Sequence, residues 1–200
     1  MDRRLMSKQV ILITGTPRVG KTTVAHMLAT MVKGLHVNLT ELAVSEDLIL
    51  RRDKKRKTAV VNLKKMKTRI SQIIEESDRH SIIVDGHYAA SVVPGKLSPH
   101  VFVLRRNPVE LRKLMEQSGF SGPKLWENLA SEILDVCLVD ALNAYGEDKI
   151  CELDTSGKSA EETVTAIIGV LEGRIKCRVG IVDWIGRLES EGLLDDYLRI

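Results

Sequence analysis

The chain has 200 residues, 44% of them hydrophobic but only 4% aromatic, so it suits one globular domain with a core of Ile, Leu and Val. No apolar run approaches the roughly 18 residues of a membrane span, residues 1–6 lack the apolar stretch of a secretory signal, and Cys137, Cys151 and Cys177 are an odd, scattered set without a CxxC pair. A reducing cytoplasm and no membrane association are expected, and the net charge of +3 conceals a block between Arg51 and Arg69 that carries +9 against about −6 for the rest.

Apolar runs alternate with helical patterns, which predicts a parallel α/β sheet. Gln9–Thr14 reads as a fully buried strand and Lys21–Met31 as the helix behind a glycine loop. Leu35–Asn38 is a short second strand, followed by a helix expected over residues 39–49. After the basic block, Leu63, Met66, Ile70, Ile73 and Ile74 keep a helical spacing. Ser81–Asp85 and residues 100–104 are the third and fourth strands. Asn107 before Pro108 opens a helix to Gln117. Residues 118–123 form a breaker cluster, and one long helix is expected over 124–145. Residues 149–154 are a fifth strand, and Ser159 with Glu162 makes a capping box for the last long helix. A tail over 178–200 reads as short amphipathic pieces packed on the domain.

The chemistry concentrates in Gly15-Thr16-Pro17-Arg18-Val19-Gly20-Lys21-Thr22, a match to G-x-x-x-x-G-K-[ST] placed between a strand and a helix, followed by Thr23. Gly15 and Gly20 let the backbone wrap a phosphate, and the loop N–H groups with the helix start supply an anion site. Lys21 is expected to reach the β- and γ-phosphates of ATP, and the Thr22 hydroxyl to bind Mg²⁺. Asp85 ends an apolar strand, where a carboxylate would hold the same cation. His87, two residues on, is placed to orient or deprotonate a nucleophile. The bland alternatives are a turn residue for Asp85 and a structural ring for His87.

Together with Asp85-Gly86-His87, Val103-Leu104-Arg105 and Gly119-Phe120 before Lys124-Leu125 and Glu127-Asn128, the glycine loop resembles the atypical adenylate kinases linked to small-ribosomal-subunit maturation. The run from Arg178 to Trp184 is similar to the archaeal branch. The resemblance implies a five-stranded parallel sheet with helices on both faces and phosphoryl transfer from ATP to AMP or another nucleoside monophosphate. It also implies ATPase activity and a transient partner in a platform protein of the small ribosomal subunit. By that likeness Asp85 and His87 are the Mg²⁺ and nucleophile-orienting residues, and Arg105 lies against the base beside a loop containing Ser156 and Gly157. Asn38, Glu41 and Lys124 fall on the monophosphate side. A single kinase domain is then expected to carry a monophosphate-side insertion over 39–69 and a short lid over 117–125.

The departures are specific. Arg18 stands where the family has glycine, Val44 where a monophosphate-site arginine is expected, and Ser118 where the lid has an arginine. Phosphoryl transfer depends on positioning and charge neutralisation, so two absent arginines bear directly on turnover. The basic block has no interleaved aromatics, so it reads either as a solvated surface or as a backbone-directed footprint for ribosomal RNA. Two other functions stay open. One is an ATP-switched ribosome-assembly factor with negligible kinase turnover; the other is a kinase for a different small acceptor.

Overall fold

A computed structural model describes residues 8–53, 58–97 and 100–199. Its centre is a sheet of five strands: β1 (Gln9–Thr14), β2 (Leu35–Asn38), β5 (Ser81–Asp85), β6 (His100–Arg105) and β7 (Ile150–Asp154), all paired in parallel in the order β2-β5-β1-β6-β7. The alternation of side chains along a strand sends Val10 and Leu12 of β1 to one face and Ile11 and Ile13 to the other. Both faces are covered, so the strand is a continuous apolar run rather than an alternating one.

Helices α1 (Lys21–Met31) and α8 (Ala160–Leu171) pack with α5 (Pro108–Gln117) and α6 (Gly122–Ile133) in the layer that buries Ile11, Ile13 and Phe102. On the other face α3 (Leu63–Glu76), the short α4 (Ala89–Val92) and α7 (Val136–Tyr145) cover Val10, Leu12 and Val84. In α3 Met66, Ile70 and Ile74 of the spacing read from the sequence are buried, whereas Leu63 at the helix start is exposed. Burying side chains of this kind contributes roughly 1.5–3 kcal/mol each, which leaves Lys64, Lys65 and Lys67 outside. The Ser159–Glu162 capping box is present at the start of α8.

The expected helix over 39–49 is shorter. Helix α2 (Leu39–Ser45) ends where Asp47 takes a positive φ of 50° and Leu48 N–H bonds Ala43 O at 2.9 Å. The chain then turns into β3 (Ile49–Asp53), which pairs antiparallel with β4 (Thr58–Val61) as a separate two-stranded sheet. The first part of the basic block is therefore a hairpin, with residues 54–57 outside the described set. The expected helix over 124–145 is likewise two helices. It begins earlier, at Gly122, and breaks at Asp135, whose φ of 57° an acidic residue tolerates and whose carboxylate pairs with Arg105. In the tail, α9 (Trp184–Ser190) and α10 (Leu194–Tyr197) bury Trp184, Leu188 and Tyr197. Among the described residues no helix is long and apolar enough to cross a membrane.

Candidate active site

Open α/β sheets bind ligands beyond the carboxyl ends of their strands, and here three such ends converge. The parallel register sets Asp85, the last residue of β5, beside Ile13 of β1 and Asn38 of β2. After β1 the loop turns at Gly15 with φ 137°, where a Cβ would collide with the Leu104 carbonyl, and enters α1 through Gly20 at φ 104°. Gly15 and Gly20 thus each meet a geometric demand.

Asp85 is 1% exposed and holds a cluster of its own. Thr22 Oγ1 donates to Asp85 Oδ2 at 2.8 Å, and Asn38 Nδ2 donates to both carboxylate oxygens at 3.2 Å and to Thr22 Oγ1 at 3.1 Å. His36 Nε2 lies 2.6 Å from Asp85 Oδ1, and because an ionised carboxylate only accepts, that nitrogen is the donor. Asn38 also caps α2, accepting from Thr40 N–H and Glu41 N–H, so one side chain ties the helix start to the carboxylate.

Lys21 is buried and donates to Thr16 O at 2.8 Å. Burial pulls its ammonium down to about 8, against the opposing pull of Cys137, Asp85 and Glu132. His87 is pushed down to about 4, first by the loss of water around its ring within the cleft and then by the charges of Lys21 and Lys124, although the residue keeps an exposed edge at the cleft wall. The direction follows from both causes, and the imidazole is neutral near pH 7. Its ring meets Tyr88 edge-on at 4.9 Å, and the Tyr88 hydroxyl is fixed to Leu39 O at 2.9 Å.

Two clefts meet at His87. One, of about 440 Å³, is lined by Pro17, Arg18, Gly20, Lys21, Thr22 and Thr23 of the loop, with Asn38, Asp85 and Arg106 around them. The other, of about 580 Å³, has walls of Val44, Ile49, Ala59 and Val61 facing Phe120 and Lys124. Pro17, Thr40 and His87 line both.

Residues 11–135 match the AAA domain family. A protein from Pyrococcus furiosus named "Putative adenylate kinase" is 35% identical over 195 residues, covering 96% of this chain and 98% of its own. One of the same name from Methanocaldococcus jannaschii is 34% identical over 174 residues, covering 87% and 92%. The chain belongs to this kinase family. In fold it is similar to shikimate kinase from Acinetobacter baumannii, with TM-score 0.62 at 13% identity over 86% of this chain and 97% of that one. A second shikimate kinase, from Bacteroides thetaiotaomicron, gives 0.54 at 17% over 82% and 98%. Likeness at such identities speaks to the P-loop kinase fold alone.

Within the family frame, some expected residues lie elsewhere. Arg105 does not reach the cleft. Its guanidinium is enclosed, donating to Glu132 Oε1 at 2.9 Å and Glu152 Oε1 at 2.5 Å and pairing with Asp135. Burial opposes its charge, but Glu132 and Asp135 more than offset this and raise its pKa. The neighbouring Arg106 lines the cleft instead, with Nη2 bonded to Thr155 O at 2.9 Å. Thr155 reaches the glycine loop at Val19 O, 3.3 Å away, which brings the loop of Ser156 and Gly157 alongside. Ser156 and Gly157 themselves are spent on Asn107 N–H and Glu110, and Glu41 is exposed outside both clefts. Val19 is fully buried and Thr16 is held by Glu132, so both support the loop from behind.

Sequence reasoning gave no site role to His36 and Glu132, and Trp184 entered only as part of the run similar to the archaeal branch. His36 was detectable, since it precedes Asn38 by two residues on a strand and shares its face. Glu132 accepts from Thr16 Oγ1 at 2.5 Å, Arg105 Nε at 2.9 Å, Arg106 N–H at 3.1 Å and Trp184 Nε1 at 3.0 Å. It therefore joins the glycine loop to the tail, and nothing in its local sequence marks it.

Proposed function

We propose that this protein is an ATP-dependent nucleoside monophosphate kinase of the adenylate kinase type, with ATP hydrolysis as its reaction when no acceptor is bound. The observation that carries the reading is the convergence of Thr22, Asp85 and Asn38 beside the glycine loop, in a cleft that continues past His87 into a second one. A donor on one side and an acceptor on the other would meet at that imidazole.

ATP would place its phosphates against Gly20, Lys21 and Thr22, with Lys21 leaving Thr16 O for a phosphate oxygen. The ammonium is mostly charged at pH 7 even at its lowered pKa. The donor set of Thr22 hydroxyl and Asp85 carboxylate, hard oxygens 2.8 Å apart, fits Mg²⁺, which takes one or two protein oxygens and completes its shell from phosphates and water. Bound there, the ion would neutralise phosphate charge. His36 and Asn38 hold Asp85 in place, and neutral His87 is disposed to orient a phosphate acceptor or a water.

The resemblance to kinases of small-subunit maturation supports a second role, in which turnover is coupled to ribosomal RNA or a platform protein. The exposed Arg51, Lys64, Lys65 and Lys67 favour it, because β3 carries Arg51 on one stretch and Ile49 in the second cleft's wall on the next. A polyanion docked on the hairpin would thus touch the strand that closes the acceptor side. In the limiting form of this role ATP is a switch and monophosphate transfer is negligible; a kinase for another small acceptor is the remaining reading. Paired assays of ATP hydrolysis and AMP-to-ADP transfer, with and without small-subunit components, separate the first two, and a screen of small acceptors tests the third. Transfer to AMP supports the kinase. Hydrolysis without transfer, stimulated by the particles, supports the switch, and neither activity would overturn the site.

A further inference from the structure

The two arginines expected in the acceptor half are replaced by Val44 and Ser118, and among the described residues lining the second cleft Lys124 is the only Lys or Arg. Glu127 lines the same cleft, so the net cationic charge offered there is small. A monophosphate and a γ-phosphate meeting at His87 bring several negative charges together. Somewhere between the clefts a cation is needed.

Arg18 is so placed. It is exposed, lines the phosphate cleft with Lys21, Thr22 and Leu114, and adjoins Pro17, which lines both clefts. Its backbone has φ 74°, a conformation that glycine takes freely and a Cβ disfavours, and non-glycine residues held there cluster at functional sites. Its guanidinium donates to Ser118 Oγ, a hundred residues away, and Ser118 in turn donates to Leu114 O at 2.6 Å at the carboxyl end of α5. The partner of Arg18 is thus a neutral hydroxyl at a helix end of partial negative charge, a weak hold that a phosphate dianion would outcompete. Arg106, the other guanidinium in the cleft, is tied to Thr155 O and Thr155 Oγ1.

We propose that Arg18 supplies from the glycine loop the guanidinium that the lid lacks, parking on Ser118 and moving onto the transferring phosphoryl group when both clefts fill. This rests on the phosphotransferase reading above. In the transfer, the bond from the γ-phosphorus to the bridging oxygen breaks with its electron pair remaining on ADP. A bond forms to a deprotonated oxygen of the monophosphate, so no proton need leave. Arg18 stabilises the charge on the three equatorial oxygens and forms no bond of its own.

The test uses the full chain as wild type, Arg18→Gly, Arg18→Lys and the double variant Arg18→Gly with Ser118→Arg. Each is measured for ATP affinity by calorimetry and for turnover with AMP and with water. Arg18→Gly is expected to fold at least as well as the wild type, because glycine suits the left-handed position, and to keep ATP affinity within a few-fold. Turnover should fall by roughly 10²- to 10³-fold, toward the range in which a missing arginine is felt in phosphoryl transfer. Arg18→Lys should restore little, since a point charge lacks the fork, and Ser118→Arg in the glycine background should recover at least about tenfold. Turnover within about twofold of wild type in Arg18→Gly, or no recovery in the double variant, overturns the proposal. If the wild type transfers only to water, the monophosphate reading fails, and the hydrolysis rate then decides on Arg18 by the same criterion.

Discussion

Replacing Glu132 by alanine should destabilise the fold and loosen the glycine loop together, because one carboxylate serves both. It is 2% exposed and accepts four hydrogen bonds, from Thr16, Arg105, Arg106 and Trp184. Arg105 keeps Glu152 and Asp135 in the variant, so its charge stays compensated and the larger penalty for an orphaned buried ion does not apply in full. The indole N–H, the Thr16 hydroxyl and the Arg106 amide lose their acceptor, at about 1–3 kcal/mol for each donor left unsatisfied. With partial relaxation the total should be about 3–5 kcal/mol. A domain of this size shifts about 2–4 °C in Tm per kcal/mol, which gives a drop of roughly 6–20 °C. Glu132→Gln keeps one oxygen for three of the donors and turns an amide toward Thr16, whose hydroxyl can accept, so about 1–2 kcal/mol is expected. Trp184→Phe removes a single donor and should cost about 1 kcal/mol from that bond. Thermal unfolding followed by circular dichroism at fixed pH ranks the three. ATP titration should show weaker binding in the alanine variant, since Thr16 also provides the carbonyl that seats Lys21. An alanine variant melting within about 2 °C of wild type would refute the hub, and Trp184→Phe matching its loss would assign the effect to indole packing.

Lys21→Ala should weaken ATP binding by roughly 10- to 150-fold, the value of about 1.5–3 kcal/mol for a charge-assisted bond, with little change in Tm; near wild-type hydrolysis would remove the loop from the mechanism. Asp85→Ala and His87→Ala should differ in kind. The first lowers affinity for ATP with Mg²⁺, while the second spares affinity and slows turnover by roughly 10²-fold or more. Equal losses of affinity in calorimetry would take the orienting role from His87. Changing Arg51, Arg52, Lys54, Lys55, Arg56 and Lys57 to Gln should flatten the salt dependence of RNA binding by about 0.7 in log–log slope per lost phosphate contact, with basal hydrolysis little altered. An unchanged slope across the salt series would return the block to a solvated surface.

The sheet was legible because β1, β5 and β6 are buried on both faces and appear as short, β-branched apolar runs bounded by loop residues. The errors fell where local pattern is overruled from a distance. The helix expected over 39–49 stops short because Asp47 turns the chain, and pairing with Thr58–Val61 makes Ile49–Asp53 a strand. The helix over 124–145 looks continuous because no Gly or Pro interrupts that segment. The break falls at Asp135, at φ 57°, whose carboxylate pairs with Arg105 thirty positions away in the sequence.

The site divides in the same way. Lys21, Thr22, Asp85 and His87 belong to spaced motifs whose chemistry depends on a strand end or a loop, so their positions could be read directly. His36 and Glu132 depend on register. Once Asn38 pairs with Asp85, the period of two on β2 puts His36 on the face of Asn38, against the same carboxylate. Glu132 becomes a ligand of Thr16 only because α6 is laid against the glycine loop. Arg105 and Arg106 show the limit most sharply. They are adjacent, identical side chains, yet Arg105 is the last residue of β6 and turns into the carboxylates behind the sheet, while Arg106 is the first beyond it and turns into the cleft. Which of two neighbouring arginines lines the cleft is decided by where a strand stops, a boundary that sequence patterns fix least well.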